Sequence, residues 1–161
     1  MRVGMGFDVH RFSDNQDLVL GGVEIPCSRG LKGHSDADVL VHALMDALLG
    51  AAAAGDIGDH FPPDDDRYKG ISSLVLLARV TELLQEKGFV INNVDLTIIA
   101  QIPRVAPYKE KMVDKISSTL KLTKNRINIK ATTTEGLGFV GRKQGIAAQV
   151  VATIAKKDSV E

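Results

Sequence analysis

The 161-residue sequence predicts an α+β fold, a mixed β-sheet with helices packed on one face, from three observations. Strand-like and helix-like segments alternate along the chain, a Gly-Gly hairpin stands near the amino terminus, and two strand-like segments close the other end. A sheet covered on one face leaves the other open. A chain of this size then needs a partner surface, so a homo-oligomer is expected. Length alone favours one domain spanning residues 1–161, large enough to bury a core.

Each element has a local cause. Residues 2–10 form an apolar segment read as a strand, whose side-chain period of two turns Asp8 and His10 to the same face. Leu18 to Ile25 reads as two short strands around Gly21-Gly22, closed by Pro26. A long helix is predicted from Asp36 to Ala54, with Ser35 or Asp36 as its N-cap. Residues 55–66, dense in Gly, Pro and Asp, read as a loop. From Ser72 to Lys87, Leu76, Leu77, Val80, Leu83 and Leu84 keep helical spacing, and Gly88 stops the helix. Val94 to Ala100 reads as a strand, and Pro107 to Leu120 as a helix with Pro107 near its first turn. Ile127 to Ala131 alternates as a half-buried strand does. A Gly-rich turn at residues 136–145 leads to a last apolar strand from Ile146 to Ile154.

Composition narrows the function classes. Hydrophobic content of 44% and charged content of 25% are those of a globular protein. Twenty basic residues balance twenty acidic ones, so bulk charge points to no nucleic-acid partner. The single Cys27 excludes an intrachain disulfide, fits a reducing compartment and has no activating neighbours. Arg2-Val3-Gly4 leads straight into the first strand without a signal-peptide pattern. The longest apolar run, near Leu48 to Ala54, is too short for a bilayer. No membrane partner and a cytoplasmic location are expected.

Three polar groupings can carry chemistry. On the helix from Asp36, Asp38, His42 and Asp46 stand at i, i+4 and i+8, one polar stripe among Val39, Leu40, Ala43, Leu44, Ala47 and Leu48. Buried polar residues of this kind are costly unless paired or liganded. His42 is then either a metal ligand with the carboxylates orienting it, or a solvated or hydrogen-bonded histidine. Asp8 and His10 tip the balance, because one Asp and two His suit an open zinc site with a position left for water or phosphate. The second grouping, Thr132-Thr133-Thr134-Glu135 followed by Gly136, Gly138, Gly141 and Arg142, suits a polyphosphate. Hydroxyls and amides donate to phosphate oxygens, Glu135 can hold a hard cation, and Arg142 offers a forked donor. An ordinary turn with Arg142 in solvent is the alternative. Asp56 and Asp59 in the acidic loop either bind sugar hydroxyls or are solvated surface.

With these pieces in order, the chain resembles the 2-C-methyl-D-erythritol 2,4-cyclodiphosphate synthases over essentially its whole length. The resemblance rests on G-F-D-V-H-R-F at 6–12, G-G-V-E-I-P at 21–26 and G-H-S-D-A-D-V-L-V-H-A-L-M-D-A-L-L-G-A at 33–51. It continues through G-D-I-G-D-H-F-P at 55–62, N-V-D-L-T-I-I-A-Q at 93–101 and K-A-T-T-T-E-G-L-G-F-V-G-R at 130–142. It implies a chorismate mutase-like fold and a homotrimer with active sites at subunit interfaces. It also implies a role in the non-mevalonate isoprenoid pathway. The implied substrate is 4-diphosphocytidyl-2-C-methyl-D-erythritol 2-phosphate, whose 2-phosphate attacks the β-phosphorus, expels CMP and closes a cyclic diphosphate.

By match to that family, Asp8, His10 and His42 would bind Zn2+, and Glu135 a Mg2+ or Mn2+ bridging the substrate diphosphate. His34 and Ser35 would contact the 2-phosphate, and His34 and Thr133 would serve catalysis. Asp56, Ile57, Gly58, Phe61 and Asp65 fall where the polyol is held. Ala100, Gln101, Ile102, Pro103, Arg104, Val105 and Ala106 would surround the cytosine, with Thr132 and Thr134 on the same side. Phe139 and Arg142 would lie near a trimer channel that can take an isoprenoid diphosphate. The location implied is bacterial cytoplasm or mature plastid stroma. Two departures bear on these roles: Pro63 stands where F-P-D-T-D members carry an acid, and Ile102-Pro103-Arg104-Val105-Ala106 differs from A-P-K-M-L members. Two rivals use the same residues: a zinc-dependent phosphohydrolase, and a non-catalytic trimeric protein that binds nucleotides or isoprenoid phosphates.

Overall fold

Glycines on the first strand decide how the sheet meets its helices. In the computed structural model, which describes residues 1–157, β1 runs Arg2–Ser13 and α1 runs Val39–Ala52. Residues 158–161, included in the single-domain expectation, lie outside the described residues. A Cβ at Gly4 would stand 2.0 Å from the Ala47 carbonyl oxygen, and one at Gly6 1.9 Å from that of Ala43. Only glycine lets the α1 backbone lie this close to β1. Gly4 meets Ala47 and Ala51 while Gly6 meets Ala43 and Ala47, so the helix runs antiparallel to the strand. Asp8 and His10, next on the same face, therefore arrive at the beginning of α1, where His42 is.

The main sheet has five strands in the order β4-β1-β7-β5-β6, with β4 Gly30–Leu31, β5 Phe89–Ile99, β6 Ile127–Thr132 and β7 Gly145–Lys156. β5 and β6 are parallel and the other pairs antiparallel, so the sheet is mixed as predicted. β2 (Leu18–Leu20) and β3 (Val23–Ile25) form the separate Gly-Gly hairpin. The two carboxyl-terminal strands are not neighbours: β7 inserts between β1 and β5, and β6 takes the edge. Burial explains the order. Ile146, Ala148, Val150, Ala152 and Ile154 are all buried on β7, whereas β6 buries only Ile127 and Ile129.

α1, α3 (Ser73–Glu86) and α4 (Lys109–Leu120) accompany the sheet, and Leu40, Leu44, Leu48, Leu77, Leu84 and Leu96 are among its fully buried side chains. Short helices α2 (Ile57–His60) and α5 (Gly138–Gly141) occupy stretches read as loop and Gly-rich turn. The α1 cap also corrects the sequence reading. The helix begins three residues after Asp36, and Asp38 is the N-cap, its carboxylate accepting from the Val41 amide. Ser35 and Asp36 have other partners, described below. The opposite sheet face carries Val3, Met5, Phe7 and Val9 of β1 and Val151 of β7, all exposed. Among the described residues, no helix is long and apolar enough to cross a membrane.

Candidate metal centre and nucleotide site

Asp8, His10 and His42 present one ligand atom each within a small volume, and they form the group of this kind found among the described residues. Asp8 Oδ2 lies 2.9 Å from His10 Nε2 and 3.3 Å from His42 Nδ1, and the two ring nitrogens are 3.2 Å apart. Ligands at about 2.0–2.1 Å in a zinc tetrahedron stand about 3.3 Å from one another. The triangle therefore matches one face of such a tetrahedron. Its backing agrees. His10 Nδ1 is 2.8 Å from the Lys32 carbonyl, which can only accept, so that nitrogen carries a proton and Nε2 offers its lone pair. These residues fit a zinc ion.

The electrostatics point the same way. Burial works to raise the Asp8 carboxyl, but hydrogen bonds and charge from His10 and His42 outweigh it and hold the group well below the usual carboxylate range. Burial opposes protonation of His10, yet the Asp8 hydrogen bond and charge, with the Lys32 carbonyl and Asp38, raise it above the ordinary histidine value. Each favours its charged form because the other is present, and a divalent cation would replace the shared proton.

The carboxylates of the supposed polar stripe do other work. Asp38 is fully buried and accepts from the Gly21 amide at 3.0 Å, the Gly22 amide at 2.7 Å and the Val41 amide at 3.1 Å, pinning the hairpin to the start of α1. Burial pushes its carboxyl up to about 6 against those donors. Asp46 accepts from the Ile57 amide at 2.9 Å and so anchors α2. His42 is instead met by two hydroxyls: its Nε2 lies 3.0 Å from Ser35 Oγ and 3.0 Å from Ser73 Oγ. Asp36 in turn holds Ser73. Sequence reading missed Ser73, which has no local signal because it sits 31 residues beyond His42 on another helix.

A cavity of about 250 Å³ opens beside the triad, and His10, His34, Ser35, His42, Gly58 and Phe61 help to line it. Ile57 and Pro63 line it too, so the residue in place of the family's acid presents an apolar ring there. Met45, Tyr68 and Leu76 also line it, another group that sequence reading did not single out. His34 Nε2 is 3.1 Å from the Asp65 carbonyl. Asp56 and Asp59 cap α2 reciprocally, and the Asp65 carboxylate is held by the Arg67 guanidinium.

The phosphate- and base-binding candidates gather at the same end of the sheet but on other strands. Ala100, Gln101, Pro103, Arg104, Val105 and Ala106 line a second cavity of about 270 Å³ with Thr132 and Thr133. Ile102, whose bond to Pro103 is cis, belongs to the same loop. Gln101 Oε1 accepts from the Gly136 amide at 3.2 Å, tying this loop to the threonine run. Thr133 Oγ1 lies 3.3 Å from Glu135 Oε1, and Thr134 Oγ1 donates to the Leu137 carbonyl. Phe139 lies on α5, and Arg142 follows at its end. The ladders put Val9, Ala147, Ile99 and Thr132 in one row across β1, β7, β5 and β6. Three strand spacings separate the ends of that row, about 14 Å. Within one chain the triad and the threonine run thus share an end of the sheet without touching.

Known proteins share this fold. The YgbB family model matches residues 1–155. A 2-C-methyl-D-erythritol 2,4-cyclodiphosphate synthase from Agathobacter rectalis is 58% identical over 154 residues, covering 96% of this chain and 87% of that protein. The bifunctional IspDF from Campylobacter jejuni superposes at a TM-score of 0.93 and 46% identity. The match covers 96% of this chain and 42% of that larger one, so this chain spans less than half of it. The CDP complex of IspF from Plasmodium falciparum superposes at 0.85 and 31% identity, covering 97% of this chain and 96% of that one. Matched in sequence and fold from the first strand to the last strand of the sheet, the chain belongs to the YgbB family.

Proposed function

We propose that this chain is a cyclodiphosphate synthase. It would convert 4-diphosphocytidyl-2-C-methyl-D-erythritol 2-phosphate into 2-C-methyl-D-erythritol 2,4-cyclodiphosphate and CMP, a step of isoprenoid precursor synthesis. The observation that carries the reading is the Asp8, His10 and His42 triangle beside a cavity that also holds His34 and Ser35. The CDP complex of a relative with the same fold supports a cytidine diphosphate ligand.

An oxygen of the substrate's own 2-phosphate attacks the β-phosphorus, and the bond from that phosphorus to the CMP oxygen breaks. The chain's task is to hold two anionic phosphates together and stabilise the developing charge. A Zn2+ held by Asp8, His10 and His42 would supply positive charge and Lewis acidity to a phosphate oxygen. His34 and Ser35 hold the attacking phosphate from the cavity wall. Thr133 donates to the reacting phosphate, and Glu135 supplies a carboxylate for Mg2+ or Mn2+ at the diphosphate. Asp56, Ile57, Gly58, Phe61 and Asp65 take the polyol. Residues 100–106, with Thr132 and Thr134, take the cytosine. Backbone groups there tolerate this chain's change of side chains.

The same reading makes the protein a homotrimer of single chorismate mutase-like domains. The apolar strip on the open sheet face supports it, with Phe7 54% and Met5 59% exposed. A neighbouring copy would bring a threonine run against the metal triad, which one chain leaves about 14 Å apart. Phe139 and Arg142 would then face the trimer axis, where an isoprenoid diphosphate offsets clustered arginines. We place the enzyme in the cytoplasm. The deciding assay incubates protein, substrate, zinc and magnesium, and follows phosphorus products by NMR alongside CMP release. Equal amounts of CMP and cyclic diphosphate are expected; an open-chain phosphate product would refute the synthase.

A further inference from the structure

His42 Nε2 meets two hydroxyls, and a hydroxyl can donate or accept, so those contacts alone leave the His42 proton unassigned. Asp36 removes the ambiguity. Its carboxylate only accepts, and it takes the Ser73 amide at 3.0 Å on one oxygen and the Ser73 hydroxyl at 2.5 Å on the other. Ser73 has thereby committed its one proton. Its oxygen faces His42 as an acceptor, which keeps a proton on Nε2 and leaves Nδ1 as the nitrogen that can offer a lone pair to a metal. Nδ1 is the atom turned toward Asp8 and His10.

We propose that Asp36 and Ser73 are positioning residues for the metal site, a hydrogen-bond relay of fixed polarity that prepares His42 to bind zinc through Nδ1. Ser35 does not set that polarity. Its oxygen accepts from the Ala37 amide at 3.3 Å and lies 3.4 Å from Ser73 Oγ, so its own proton stays available to other acceptors. The relay also ties the metal helix to the first turn of α3, whose Ser73 amide has no partner within its own helix. Ser73 is fully buried, so solvent does not compete for its hydroxyl. The proposal rests on the zinc reading of the triad and adds the two residues that orient one ligand.

Asp36→Asn is the diagnostic change. A carboxamide has one oxygen and one NH2; with the oxygen on the Ser73 amide, the NH2 donates to Ser73 Oγ and turns the hydroxyl proton toward His42. That polarity favours a proton on Nδ1, where the metal belongs. Zinc affinity of the metal-stripped full chain, measured by competition with a chromogenic chelator, should fall about 10- to 100-fold. Removing the misdirected hydroxyl in Asp36→Asn/Ser73→Ala should restore tighter binding than Asp36→Asn alone, because Ser35 remains as acceptor. A purely structural role predicts the opposite, a double variant at least as weak as the single. Wild-type affinity in Asp36→Asn, or a double variant no tighter than it, would overturn the relay. Should the variants not fold, 15N NMR of the zinc-loaded wild-type chain decides. A His42 Nε2 proton shifted downfield and protected from exchange by Ser73 is expected; an Nε2 proton exchanging as freely as that of an exposed imidazole, or a proton on Nδ1, overturns the proposal. A wild-type chain that binds no zinc would instead sink the metal reading itself.

Discussion

Replacing Gly6 by alanine should damage the metal site from a position outside it. The added Cβ would lie 1.9 Å from the Ala43 carbonyl oxygen, while carbon and oxygen pack at about 3.3 Å. Relief requires α1 to back away from β1 by about 1.4 Å, because the obstacle is helix backbone and cannot rotate aside. Metal-ligand distances hold to within about 0.2 Å, and His42 rides on the displaced helix while Asp8 and His10 stay on the strand. Overpacking should also cost about 3 kcal/mol, at the upper end for such insertions because backbone must move. For a chain of this length that is a fall of about 6–12 °C in Tm. Gly50→Ala on the outer side of the same helix is the control. A Cβ there meets nothing within 4 Å, and alanine should stabilise the helix by about 0.5–1 kcal/mol. Thermal melts and chelator competition on both variants give the comparison. Wild-type zinc affinity in folded Gly6→Ala, or equal damage from Gly50→Ala, would refute the close-packing account.

Other perturbations follow from the same geometry. The depressed Asp8 group stabilises the metal-free fold above its ordinary 3.8, and that contribution is lost as pH falls through its folded value. The raised His10 group stabilises below 6.5, and this is lost as pH rises through its folded value. The metal-free pair thus contributes most between those limits, whereas zinc requires both ligands deprotonated. The zinc-induced rise in Tm should grow from pH 5.5 to 8, and a rise independent of pH would contradict the pairing. Asp38→Ala would strip a partner from three amides at the α1 cap and the hairpin, at about 1–3 kcal/mol for each one left buried without another. Urea unfolding should show at least about 3 kcal/mol lost; a loss below that would mean water takes the place of the carboxylate. Met5→Lys on the open sheet face should leave the chain folded and dissociate the proposed trimer. Light scattering at unchanged mass would argue against that interface.

Much of this molecule was legible in its sequence where the cause is local. The period-two strand that aims Asp8 and His10 together, the Gly-Gly hairpin and the helix through His42 all follow from neighbouring residues. What escaped is settled by distant partners. Ser35, Asp36 and Asp38 are all competent helix caps, and Asp38 takes the role because the Gly21 and Gly22 amides converge on it from the hairpin. The antiparallel packing of α1 on β1 rests on Gly4 and Gly6, whose importance shows only against Ala43 and Ala47. The order of the last two strands is likewise non-local, decided by which of them has enough apolar surface to be central. Ser73 is the clearest case: nothing near it announces a histidine on another helix.

The row from Val9 through Ala147 and Ile99 to Thr132 carries a different lesson. Side chains usually set the span of a binding site, and substitution can lengthen or shorten them. Here the interval between the metal end and the threonine end is counted in hydrogen-bonded backbones, each step fixed by peptide geometry at about 4.8 Å. In the proposed trimer this interval separates two half-sites of one chain, a spacing that no point mutation recalibrates. Loops at either end are therefore free to change which groups they offer, while the distance between the half-sites stays the same.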